Sequence, residues 1–169
     1  MEVQFDYRNA KYQGEVEPSN GSRKGYGILI DDDLSFYASQ WREGKLNGPS
    51  VIYISHGKYI YGEWMNNEPH GLNVFRIADT VIVGEFDNGV LTKNVLIIFE
   101  KCNYVAIIRQ DDYFDDWKVV ESGILKNYDD LLRYIDEAQI PMKPQYFSLT
   151  KYLTFISNNR ISIAPCRGS

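Results

Sequence analysis

The chain has 169 residues, of which 44% are hydrophobic and 24% are charged. This composition is that of a single folded domain or a compact repeat array, and it argues against disorder of the whole chain. The formal net charge of −5 argues against the basic surface of a nucleic-acid-binding protein. There is no signal-peptide pattern after Met1 and no apolar run near the roughly 20 residues of a membrane-spanning helix. We therefore expect an intracellular protein, cytoplasmic or cytoskeleton-associated, that is not secreted.

Four short segments in the first two thirds of the chain share one five-residue pattern, with a large apolar residue first and fifth, a small one third and a polar one fourth. They lie at 12–16, 37–41, 60–64 and 82–86. Their third positions are residues 14, 39, 62 and 84, so the spacings are 25, 23 and 22. Side chains alternate along a strand, so the first, third and fifth residues of each segment share one sheet face. The pattern predicts a strand in each segment, and 104–108 is a possible fifth copy.

Glycines recur at matching distances after these segments. Glycine tolerates positive φ, so this recurrence predicts tight turns between paired strands. Isolated hairpins are marginal in water, and the units must therefore stack on one another. We predict a mainly β fold for residues 1–110, in which antiparallel β-hairpin repeats stack into an elongated, curved, single-layer sheet. The glycines assigned to structural turns are Gly25, Gly27, Gly44, Gly48, Gly71 and Gly89.

Residues 111–169 have a different pattern and are predicted to form an acidic connector followed by helices. Asn127 is a suitable N-cap for a helix at about 128–139, in which Leu131, Leu132 and Ile135 are expected on one apolar stripe. A second helix is predicted at about 145–158. Two interpretations remain open: these helices close the end of the array and cover its sheet edge, or the second helix binds a partner or occupies the aromatic face.

The repeats resemble the MORN (membrane occupation and recognition nexus) family, whose unit runs Tyr-x-Gly-Glu-Trp/Phe, then a glycine turn, then His-Gly-x-Gly. The segment 62–64 followed by His70 and Gly71 is the closest copy. The copy at 37–41 departs most, because Ser39 and Gln40 stand in place of the family's Gly and Glu. His-Gly-x-Gly is never complete in this chain, which marks it as a divergent member.

This resemblance implies a non-catalytic scaffold or adaptor in a cytoskeletal, ciliary or other multiprotein complex, which binds a helix or extended peptide of a partner along an aromatic face. Two alternatives are a regulatory or targeting subunit of an enzyme complex and a peripheral phospholipid-membrane tether. The basic residues of the array are scattered rather than clustered, which makes lipid binding the weaker alternative. The resemblance places partner binding at Tyr12, Tyr37, Trp41, Ile60, Trp64, Ile82 and Phe86.

The sequence offers little for catalysis. Its two histidines, His56 and His70, accompany no nucleophile motif and no phosphate-binding glycine loop. Acidic clusters at 31–33 and 111–116 invite a hard cation, but neither has the spacing of an EF-hand loop. We expect a protein that is not an enzyme and that has neither a cofactor nor a bound metal.

Overall fold

The computed structural model describes residues 2–7, 10–54, 57–110 and 116–140. Within these residues, eleven strands pair with their neighbours along the chain to form one open antiparallel sheet, whose spatial order is the chain order. The predicted mainly β fold of consecutive hairpins is confirmed. The strands are β1 Glu2–Tyr7, β2 Ala10–Val16, β3 Arg23–Asp31, β4 Phe36–Arg42, β5 Lys45–Ile54, β6 Lys58–Met65, β7 Glu68–Ile77, β8 Thr80–Asp87, β9 Val90–Phe99, β10 Tyr104–Gln110 and β11 Trp117–Ile124.

Three hairpins close with two-residue turns in which both residues have positive φ, the conformation that matches the twist of antiparallel strands. These pairs are Glu43 and Gly44, Asn66 and Asn67, and Asn88 and Gly89. The second residue of each turn also donates its backbone N–H to a carbonyl in the preceding repeat, at 2.9–3.1 Å. The turns therefore join neighbouring repeats as well as closing their own hairpins. These bonds are Gly44 to Arg23, Asn67 to Leu46, and Gly89 to Pro69.

A β-bulge recurs at the same motif position in all four repeats. The register shifts at Gly14/Glu15, Ser39/Trp41, Gly62/Trp64 and Gly84/Phe86. A bulge bends its strand and increases the local twist, so the sheet is distorted in the same way at each repeat. Three glycines that were expected in turns lie within strands instead, where they adopt positive φ. They are Gly25 in β3, Gly48 in β5 and Gly71 in β7. Gly27 also lies within β3 rather than in a turn.

Strand pairing aligns side chains in continuous rows across the sheet, which defines two faces. Face A carries an apolar row and, beside it, a row of mostly small or polar residues. The apolar row is Tyr12, Leu29, Tyr37, Ile52, Ile60, Phe75, Ile82, Ile97 and Ala106. The adjacent row is Gly14, Gly27, Ser39, Ser50, Gly62, Asn73 and Gly84. Face B is the opposite side of the sheet.

Helix α1, Tyr128–Glu137, packs on face B. Asn127 caps it by accepting the backbone N–H of Asp130 at 2.9 Å. Its buried side chains are Leu131, Tyr134, Ile135 and Ala138, and they cover Leu72, Val74, Val81, Val83, Leu96, Ile98, Val105 and Ile107. The helix thus covers one face of β7–β10 rather than the sheet edge.

Leu132 lies outside the buried stripe of α1 and is exposed. The buried residues follow an i, i+3, i+4, i+7 spacing from Leu131, and the next residue along points about 100° away from that stripe. The sheet also extends past residue 110, because β11 pairs with β10. The predicted helix at about 145–158, and the turn expected after the segment 104–108, lie outside the described residues.

Candidate partner-binding faces

All seven residues predicted to bind a partner lie on face A, but they differ in exposure. Three are buried in a core formed by the first repeats: Tyr12, Trp41 and Ile60. The other four are half-buried: Tyr37, Trp64, Ile82 and Phe86. The first repeats therefore use this face for their own packing, and side chains of the predicted set become accessible further along the sheet.

Trp41 is held on three sides. Its ring meets the edge of Tyr12 at a centroid distance of 6.0 Å, and its Nε1–H donates to the carbonyl of Gly27 at 3.0 Å. The guanidinium of Arg23 lies 4.5 Å from the centroid of the indole, in cation–π geometry. Arg23 itself donates to the carbonyl of Gly44 at 2.8 Å. These contacts make Trp41 part of the fold's core.

Trp64 occupies the same motif position one repeat later, but its environment differs. Its side chain is half-buried against the Tyr12–Trp41 core. The buried Nε1 has no hydrogen-bond partner within the described part of the chain. One repeat further, Phe86 contacts Phe75 at a centroid distance of 5.3 Å and stays half-buried. The last residue of the motif is thus buried in the second repeat and half-buried in the third and fourth repeats.

A set of exposed large apolar side chains lies on face A over β7–β11, and we call it the C-terminal apolar patch. Within it, the rings of Phe99 and Tyr104 lie 6.3 Å apart, and Tyr104 donates to Ser122 at 2.7 Å. Half of this patch lies beyond residue 110, where the sequence predicts a connector, and Ile77 and Phe99 lie outside the repeated segments. The alternation of Trp117, Lys118 and Val119 was the available signal for a strand. The patch consists of Ile77, Phe99, Tyr104, Trp117, Val119 and Ile124.

Burial shifts the pKa of three ionisable side chains in the array. It raises the pKa of Tyr37, with further contributions from the nearby carboxylates of Asp31 and Asp33. It also raises the pKa of Tyr61 and of Glu63, and His70 partly offsets the shift at Glu63. Each shift follows from partial desolvation of a strand side chain.

The acidic turn at 31–33 has a structural explanation, since Asp33 accepts the backbone N–H of Ser35 at 2.8 Å. Over residues 2–7, 10–54, 57–110 and 116–140, no group of three His, Cys, Asp or Glu side chains is placed to hold a metal ion. In the same residues no helix has the length and apolarity needed to cross a membrane. Neither a protein-family model nor any curated protein matches this sequence.

Proposed function

We propose that this chain is a divergent MORN-type repeat protein that acts as a non-catalytic scaffold or adaptor, and that it binds a partner protein along face A. The observation that carries the proposal is the C-terminal apolar patch. Single exposed apolar residues are ordinary on protein surfaces, but contiguous apolar patches mark interaction sites. In this patch the exposed residues belong to four strands, β7, β9, β10 and β11, and share one face. Ile77, Phe99, Tyr104 and Ile124 lie in one row across the sheet, and Trp117 and Val119 lie at the other end of β11.

The regularity of the repeats supports a scaffold. Turns and bulges recur at equivalent positions, and each turn hydrogen-bonds to the repeat before it. Repeat arrays of this kind are stabilised by contacts between neighbouring units and present extended binding surfaces. An extended sheet with exposed apolar residues on one face suits recognition of an elongated partner.

The partner would contact the patch and the half-buried rings that continue it on face A. Ile82 lies in the row beside the patch, and Phe86 lies further along the same strand. Polar side chains lie among the patch residues on face A, including Ser122 and Thr80. A helix with one apolar face, or an extended segment with alternating apolar residues, matches this surface.

Affinity capture from native extract, with matched lysine variants, tests the proposal. Trp117→Lys and Val119→Lys place a charge in the patch, and Leu132→Lys is the control on the solvent side of α1. Trp117 and Leu132 are each 40% exposed, so the comparison is matched for accessibility. We expect a specific partner to be retained by the control and lost by both patch variants, with unchanged circular dichroism. An identical set of captured proteins for all chains would contradict binding at this patch.

A further inference from the structure

Face B has a second apolar surface, which lies over β3–β6, beside the strands that α1 covers. Here four rings follow one another across β4–β6, with centroid distances of 5.5 Å, 4.9 Å and 6.3 Å. Beside them β3 presents three exposed large side chains. We call this surface the face B ladder. It consists of Tyr26, Ile28, Ile30, Phe36, Tyr53, Tyr59 and Tyr61.

The face B ladder is continuous with the surface that α1 covers. One row of face B runs through both, as Ile28, Ala38, Val51, Tyr61, Val74, Val83, Leu96 and Ile107. From Val74 onwards this row is buried beneath α1, and Tyr61 packs against the margin of that core. The helix therefore covers one half of a longer apolar surface and leaves the other half exposed.

The chain itself has a segment suited to the exposed half. Ile140 is buried in the core beneath α1, so the chain leaves the helix on face B. The sequence then continues from residue 141 to residue 169 and includes the predicted helix at 145–158. At 1.5 Å per residue such a helix is about 21 Å long, and strands β3–β6, spaced about 4.8 Å apart, span about 14 Å. Its large apolar residues are Tyr146, Phe147, Leu149, Tyr152, Leu153, Phe155 and Ile156.

The charge of residues 141–169 differs from that of the rest of the chain. Residues 141–169 contain four basic side chains and no acidic one. Asp31 and Asp33, at the end of β3 and in the turn that follows, act on Tyr37 of face A, so these carboxylates do not mark the side of the sheet that carries the ladder. The support for residues 145–158 as the occupant is therefore the continuity of the apolar surface and the position of Ile140 on face B.

We propose that residues 145–158 of this chain pack as a helix on the face B ladder, beside α1. Face B is then covered by two helices, and face A is left for partners. The proposal is independent of the partner-binding proposal, because it concerns the opposite face and is tested on the purified chain. A second copy of the chain on the ladder is the main competing occupant.

Photo-cross-linking of the purified full-length chain tests this packing. p-Benzoylphenylalanine is placed at Ile28 on the ladder and, as the control, at Ile77 on face A. The two side chains are 46% and 43% exposed, so the probes are matched for accessibility and neither enters a core. We expect the Ile28 probe to cross-link within the monomer to a peptide from 145–158, with a yield independent of protein concentration, and the Ile77 probe not to reach it.

Three outcomes would overturn the proposal: cross-links from Ile28 only between two copies, no cross-link from Ile28 to 145–158, or an equal cross-link from Ile77. A second variant, Leu149→Asp with Leu153→Asp, is made in the Ile28 probe chain. It should abolish the intramolecular cross-link while the strand signal in circular dichroism is retained. A cross-link that persists in this variant would show that the predicted apolar face does not hold the segment in place.

Discussion

The ring of Tyr12 on β2 lies over Gly27 on the neighbouring strand β3. A Cβ atom added to Gly27 would lie 2.6 Å from Cζ of this ring. A Cβ atom added to Gly14 would lie similarly close to the Tyr12 ring. Tyr12, Gly14 and the residue paired with Gly14 on β3, Gly27, therefore pack together as one unit.

Gly27→Ala is expected to destabilise the fold by about 1–3 kcal/mol, because the added methyl group must displace the Tyr12 ring. The φ of Gly27 lies outside the left-handed region, so backbone strain does not contribute. Chemical denaturation of Gly27→Ala, Tyr12→Leu and the double variant measures the coupling. The cost of the alanine should fall sharply in the Tyr12→Leu background. Strictly additive costs would show that the ring and the glycine do not constrain each other.

Trp41→Phe is expected to destabilise the fold more than Trp64→Phe does, by at least about 1 kcal/mol. The first substitution removes the hydrogen bond to Gly27 and weakens the stacking of Arg23. The second removes an indole N–H that has no partner in the described part of the chain. Denaturation midpoints of the two variants, measured under one condition, provide the comparison. Equal losses would contradict the different roles assigned to these equivalent positions.

Asn127→Ala is expected to lower the free energy of unfolding by about 1 kcal/mol, because the N-cap bond to Asp130 is lost. Asn127→Asp keeps an oxygen acceptor at the same place and should retain most of that stability. Hydrogen exchange of the α1 amides gives the local readout, and thermal melting gives the global one. If Asn127→Ala left the protection of α1 unchanged, the cap would contribute nothing to the helix.

Glu63→Gln is expected to be more stable than the wild type at pH 7. Burial raises the pKa of Glu63 above its ordinary value of 4.5, so the folded state binds the proton more tightly than the unfolded state. Ionised Glu63 therefore destabilises the fold above its folded pKa, and this cost disappears as the pH falls to 4.5 and below. The advantage of the variant should shrink over the same range.

Thermal melting at a series of pH values measures this effect. Glu85, at the same motif position in the last repeat, is exposed, and Glu85→Gln is the matched control. The control should lack the pH-dependent gain. The same gain for both variants would show that burial of Glu63 is not its cause.

Local patterns in the sequence predict the strands of the four repeats, the tight turns at Gly44 and Gly89 and the cap of α1, because each depends on residues close together in the chain. Packing between distant residues decides the rest. A repeated glycine indicates positive φ, but it does not distinguish a turn from the bulged region where Gly48 lies. Periodicity puts Tyr12 and Trp41 on one face without showing that they are buried there. The exposure of Trp117 depends on β11 being the last strand of the sheet, which no short pattern encodes.

The most direct test of the account is photo-cross-linking in native extract with p-benzoylphenylalanine at Trp117, and at Leu132 for comparison. If face A binds a partner, the Trp117 probe should yield a discrete adduct with another protein, and this adduct should disappear when Val119→Lys is added. The Leu132 probe should not give that adduct. The same adducts from both probes, or none from Trp117, would contradict the proposal that the C-terminal apolar patch is the partner-binding surface.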